Sequence, residues 1–135
     1  PDSLENILKA VRGFCTGRVI AVFGCGGDRD PYKRPVMGKI AAELSDLAIV
    51  TSDNPRTEDP YKILRQILAG MQDTETPYEV IESRVSAIGR AMELARKNDV
   101  IVLCGKGHET YQEIGHEKHH LDEREVVASY LEAKA

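Results

Sequence analysis

The chain has 135 residues, of which 41% are hydrophobic and 30% charged, and a formal net charge of −4. These values fit one soluble globular domain with a core large enough to fold alone. They argue against a general attraction to nucleic acid or to an anionic membrane surface, and the sequence contains neither a run of membrane-spanning length nor a signal-peptide pattern. Cys15, Cys25 and Cys104 are odd in number and form no CxxC pair, which points to reduced thiols and a cytoplasmic setting. The chain opens on Pro1 rather than methionine, which leads us to expect a piece of a longer protein or a processed one.

Leu4, Ile7, Leu8 and Val11 share one helical face, with Asp2 or Ser3 as the cap. "RVIAVFG" (18–24) is a β-rich run closed by glycine. Met37, Ile40, Ala41 and Leu44 predict a second helix, and "LAIVT" (47–51) a second strand. Asp59 and Pro60 suit the cap and first residue of a third helix, carried on by Ile63, Leu64, Ile67 and Leu68. After the loop "QDTETP" (72–77), "YEVI" (78–81) is a weaker strand. Ser83 caps a helix through Val85, Ile88, Met92 and Ala95, and "VIVLC" (100–104) is a buried strand. "TYQEIGHEKHH" (110–120) alternates about Gly115 and predicts a hairpin. Asp122 and Glu125 resemble a capping box ahead of Val126, Val127, Tyr130 and Leu131. Apolar strands alternating with amphipathic helices predict an α/β domain: a three-layer, mainly parallel sheet with helices on both faces, followed by a C-terminal β-hairpin.

In such a sheet, ligands gather beyond the carboxyl ends of the strands. Three polar loops follow strands directly: "GCGGDRDPYKRP" (24–35), "SDNPRTEDP" (52–60) and "GKGHET" (105–110). The first is not a dinucleotide fingerprint, because Arg29 stands where GxGxxG needs its last glycine. The third is not a Walker A loop, because Gly107 follows Lys106 and the GxxxxG frame is missing. In the second, an Asn-Pro turn and a helix cap account for Asn54, Pro55, Asp59 and Pro60, but not for Asp53 or Arg56. An arginine on a rigid Pro-linked turn suits bidentate recognition of a carboxylate or phosphate. "SDN" also occurs in penicillin-recognising serine enzymes, but the SxxK and KTG partners are absent.

"HEKHH" (116–120) matches the zinc-protease pattern HExxH. That chemistry needs both histidines on one helical turn. On a strand, His116 and His120 would stand about 13 Å apart, too far to share an ion. No metal site is expected.

"FGCGGDRDPYKRPVMG", "TSDNPRTEDP" and "GKGHETYQ", in this order, resemble the C-terminal domain of the Mur ligases, and within that family the branch that uses diaminopimelate. The likeness runs from "PDSLENIL" to the final helix. It implies a Rossmann-like domain, 1–135, forming the third part of a three-domain cytoplasmic ligase of peptidoglycan synthesis. The implied reaction is ATP-dependent amide formation, joining meso-diaminopimelate to UDP-N-acetylmuramoyl-L-alanyl-D-glutamate. ATP and Mg2+ are bound mainly by the central domain, which carries the P-loop, the magnesium ligands and a carbamylated lysine. The family's Asp-Tyr-Ala-His-Thr stretch would lie just before Pro1. The N-terminal and central domains of the same chain are thus implied partners.

By the same resemblance, the amino-acid site comprises Arg29, Asp53, Asn54, Pro55, Arg56, Gly105 and Glu109, with no catalytic residue in this chain. Meso-diaminopimelate carries an ammonium and a carboxylate at each end. Its far carboxylate suits Arg56 with Asn54 alongside, and its far ammonium suits Glu109 and the carbonyl of Gly105. Arg29 can hold a carboxylate from the opposite loop, and Asp53 either orients Arg56 or caps the turn. Family members that use lysine lack an arginine at the position of Arg56. Lys33, Arg34 and His108 receive no role. The alternative is a free-standing small-molecule or phosphate-binding module of the same fold.

Overall fold

The computed structural model describes residues 2–27, 29–104, 111–114 and 117–134. Among them the elements are α1 (Asp2–Arg12), β1 (Val19–Phe23), α2 (Lys33–Leu44), β2 (Leu47–Val50), α3 (Pro60–Ala69), β3 (Tyr78–Val80), α4 (Arg84–Leu94), β4 (Val100–Leu103), β5 (Tyr111–Ile114), β6 (Glu117–His120) and α5 (Glu123–Lys134). β1 to β4 form a parallel sheet in the order β3-β2-β1-β4. Ala21 of β1 stands between Ala48 of β2 and Val102 of β4.

Three of the predicted caps are in place, but Asp2 and Ser3 lie within α1 rather than ahead of it, because the helix already begins at Asp2. Asp59 accepts from Tyr61 N at 3.0 Å with Pro60 behind it, Ser83 from Ser86 N at 3.3 Å, and Asp122 from Arg124 N at 3.0 Å. α2 starts at Lys33, ahead of the apolar period that begins at Met37. Pro35 falls in its first turn, where a proline lacks no partner and its fixed φ suits the helix.

β1 and β2 are buried throughout, and the pleat divides them between two cores. Val19, Ala21, Phe23, Ala48 and Val50 face α1, α2 and α3, meeting Leu8, Ala41, Ile63 and Ile67. Ile20, Val22, Leu47 and Ile49 face α4, meeting Ala87 and Ala91. α5 packs outside α4, where the ring of Tyr130 fills the space over Gly89. This is the three-layer α/β arrangement that the alternating strands and helices predict. No helix among the described residues is long and apolar enough to cross a membrane.

β5 and β6 pair antiparallel as a separate two-stranded sheet, Tyr111 opposite His120 and Ile114 opposite Glu117. Residues 117–120 of the HExxH match are therefore a strand rather than the helical turn that a zinc site of that type requires. His116 lies outside the described residues.

Aspartates fasten the amino ends of the strands. Asp46 accepts from Val19 N at 2.8 Å and from Arg12 at 3.0 Å. Asp99 accepts from Arg18 N at 2.7 Å, Arg18 Nε at 3.0 Å and Arg96 N at 2.9 Å. Burial alone would raise the Asp99 carboxyl. The backbone donors of Arg18 and Arg96 and the Arg18 guanidinium outweigh it and bring the pKa down from 3.8 to about 2. A carboxylate lowered on folding stabilises the fold above its unfolded pKa, and that contribution fades as pH falls from 3.8 towards about 2. Asp99→Asn should therefore be less stable than the parent at neutral pH, and the gap should narrow as pH drops through about 3. Urea melts of both proteins across this range check it; a gap that does not change with pH would contradict the assignment.

Candidate functional site

In the order β3-β2-β1-β4 the chain winds outward from β1 to β3 and returns to the other side of β1 for β4. The reversal of strand order falls between β1 and β4, and sheets of this kind hold their ligands at the carboxyl ends there. The first two polar loops named from sequence leave this rim, after β1 and β2; the third, residues 105–110, lies outside the described residues.

The first two loops are tied together. Gly27 N donates to Asn54 O at 2.6 Å, and Arg56 Nη1 returns to Gly27 O at 2.9 Å and to Asn54 O at 3.3 Å. The approach requires glycine: a Cβ on Gly27 would run into the Pro55 carbonyl, and one on Gly24 into that of Thr51. Asn54 and Pro55 are buried in this seam.

Arg56 has φ +52°. A non-glycine residue in the left-handed region costs about 1–3 kcal/mol, and such strain collects at functional sites. The turn sends the half-buried side chain over the first loop. A Cβ on Gly26 would stand 2.8 Å from Arg56 Nη1 and 3.5 Å from Arg29 Cγ, so the two arginines flank this residue from different loops. Arg29 is exposed, and it lines a cleft of about 430 Å3 with Cys25, Lys33, Met37 and Asp53. Asp53 is 9% exposed, and its carbonyl accepts from Gln112 Nε2 of β5 at 2.7 Å. Of the seven residues predicted from sequence, the rim brings together Arg29, Asp53, Asn54, Pro55 and Arg56. Gly105 and Glu109 lie outside the described residues, as does His108.

Two buried arginines form the floor of the rim, and the sequence reading assigned neither. Arg34, 1% exposed, makes a two-pronged pair with Glu58 at 2.8 and 3.0 Å, donates to Gly26 O at 3.0 Å and also bonds Gln66. It joins the first loop to the second and to α3. Arg84 has a fully buried side chain and bonds Ser52 O at 3.0 Å, Cys104 O at 2.7 Å and Glu123 at 2.8 Å. It joins the ends of β2 and β4 to α5. Each arginine sits in the buried stripe of its helix, Arg34 with Gly38, Ala41 and Ala42, and Arg84 with Ala87, Ile88 and Ala91. A charge in an apolar helical stripe is the signal that could have found them.

Burial weakens the thiols at the rim as nucleophiles. Burial, only partly countered by Arg34, pushes Cys25 up to about 12, and burial outweighs Arg84 to push Cys104 up to about 11. Both stay protonated at neutral pH. The rim offers guanidinium, carboxylate and backbone groups at fixed spacing, which suits binding a zwitterion rather than forming a covalent adduct.

Residues 1–107 match the family model for the Mur ligase, glutamate ligase domain. A UDP-N-acetylmuramoyl-L-alanyl-D-glutamate–2,6-diaminopimelate ligase of Trichormus variabilis is 65% identical over 97% of this chain, and one of Clostridioides difficile is 54% identical over 97%. The chain spans 26% and 27% of those two proteins. A solved structure of a ligase of the same name superposes with a TM-score of 0.95 at 41% identity, over 99% of this chain and 28% of that one. The parallel sheet, the two loops zipped at Gly27 and the family match lead to one assignment: this chain belongs to the Mur ligase family, as its glutamate ligase domain.

Proposed function

We propose that the chain is the amino-acid-recognition domain of a cytoplasmic ATP-dependent amide ligase. That ligase joins meso-diaminopimelate to UDP-N-acetylmuramoyl-L-alanyl-D-glutamate in peptidoglycan synthesis, with this domain working beside the ligase's N-terminal and central domains. The observation that carries the reading is the approach of Arg29 and Arg56, from different loops, to Gly26, next to the cleft that Asp53 lines. The names of the relatives supply the substrate.

The chemistry follows from charge. A second carboxylate entering a loop-lined pocket needs a cation that does not have to be reorganised on binding. Anchoring Arg56 Nη1 on Gly27 O and Asn54 O fixes the plane of its fork before the ligand arrives. Arg29 and Lys33 carry further positive charge on the cleft wall, which Asp53 also lines. In this reading Asn54 and Pro55 shape the turn that presents Arg56, while Gly105 and Glu109 receive the far ammonium. Holding both ends of the amino acid orients the attacking amine, an entropic contribution that a bimolecular encounter lacks.

ATP and Mg2+ belong to the remainder of the ligase, where they supply the activated carboxylate. This sequence has no GxxxxGK[ST] frame, and no group of three or more His, Cys, Asp or Glu among the described residues is arranged to hold a metal ion. No step of phosphoryl transfer is assigned to this chain.

Two outcomes follow. The chain by itself, given ATP, magnesium, UDP-linked dipeptide and diaminopimelate, should release no phosphate above background. Turnover traceable to it would contradict the assignment. In the full-length ligase, Arg56→Ala should cost about 2–5 kcal/mol in diaminopimelate use, since the far carboxylate loses its main partner. That is roughly 30- to several-thousand-fold in kcat/KM. Residual use of lysine, which has no carboxylate there, should change little. Arg56→Lys should recover part of the loss, because an ammonium cannot make the two-pronged contact. Folding should weaken by about 1 kcal/mol through the lost bond to Gly27 O. Paired kinetics with both amino acids and a thermal melt check this. Equal losses for both would make Arg56 a structural residue and favour a module with another ligand.

A further inference from the structure

We infer that Arg84, which carries no assigned role, is a positioning residue for the amino-acid site. It sets the separation of the carboxyl ends of β2 and β4 and thereby places the loop that carries Asp53, Asn54 and Arg56. The inference rests on the proposed function for what the site binds, but its geometry stands independently.

Arg84 is an expensive residue where it stands. It occupies the first turn of α4, the end of a helix that disfavours positive charge, and its side chain is fully buried. Local sequence preference at that position is for an acid. A buried ion pair is often no better for folding than apolar side chains of like volume. Its contacts suggest what it does instead. One guanidinium reaches three separate elements: Ser52 O just past β2, Cys104 O just past β4, and Glu123 in the first turn of α5. β2 and β4 are not neighbours, since β1 lies between them. No backbone ladder joins their ends, and Arg84 bridges them beneath the rim. Ser52 directly precedes Asp53, so its carbonyl fixes where the binding loop departs. A planar fork with five donors spans three acceptors at fixed angles, which neither lysine nor an apolar residue can do.

The test uses the full-length ligase. The paired variant Arg84→Met with Glu123→Leu removes both charges at similar volume, so no buried charge is stranded. Arg84→Lys keeps the charge and loses the fork. A displacement of the loop by a fraction of an ångström should raise KM for diaminopimelate about tenfold or more, while KM for ATP stays within about twofold. Arg84→Lys should fall between the parent and the paired variant. A thermal melt on each variant identifies the folded ones, and whichever variants fold decide. In a folded variant, an unchanged KM for diaminopimelate, or KM values for diaminopimelate and ATP that rise together, would make Arg84 merely structural and overturn the inference. Arg56→Ala measured in parallel separates the two claims. If it loses diaminopimelate selectively while the Arg84 variants do not, only the positioning role falls. If it shows no selectivity, the proposed function falls first.

Discussion

Donation from guanidinium groups to backbone carbonyls, across the gaps between strand ends, is the interaction on which the rim depends. A parallel sheet holds its strands together along their length, but its twist and its diverging loops leave the carboxyl ends without ladder partners. Carbonyls buried there must be satisfied by something else, or each costs about 1–3 kcal/mol. Arg34 takes Gly26 O, Arg56 takes Gly27 O, and Arg84 takes Ser52 O and Cys104 O. The same bonds that satisfy the carbonyls fix the loops relative to one another. A site built this way is organised before any ligand enters, and the cost of ordering it is met in folding rather than in binding.

The two ends of the sheet are built from opposite charges. At the amino ends, Asp46 and Asp99 accept from strand-initiating N–H groups and from Arg12 and Arg18. At the carboxyl ends, arginines donate to strand-terminating carbonyls. Each charge meets the backbone group that the strand direction leaves exposed at that end. The polarity of the sheet thus decides which end can present cations to a carboxylate-bearing ligand. Cys25 and Cys104 remain neutral thiols there because burial outweighs the pull of the neighbouring arginines.

Much of this was legible in the sequence, for local reasons. The strands read from runs such as "VIAVF" and "VIVL", and the caps Asp59, Ser83 and Asp122 from residue type and spacing. The loop carrying Asp53 to Arg56 stood out because turn chemistry did not account for its charges, and Arg29 was named through the family resemblance. What stayed hidden is long-range or conformational. The φ of +52° at Arg56 has no residue-type signal, since arginine rarely adopts it. The bond from Gln112 to Asp53 O spans 59 residues of sequence, and that from Arg84 to Ser52 O spans 32. Arg34 and Arg84 were visible only as charges out of place in apolar helical stripes. Their partners, Glu58, Gln66 and Glu123, come from other elements.

The central claim is that a rim organised in advance by arginines recognises an amino acid with two carboxylates. A crystal structure of the full-length ligase with bound meso-diaminopimelate tests it most directly. The account predicts one terminal carboxylate on the Arg56 fork, Arg29 within reach across Gly26, and the bonds from Arg56 to Gly27 O and from Arg84 to Ser52 O and Cys104 O kept. A ligand seated away from this rim would contradict it. So would a rim whose loops separate on binding, with these guanidinium–carbonyl bonds broken.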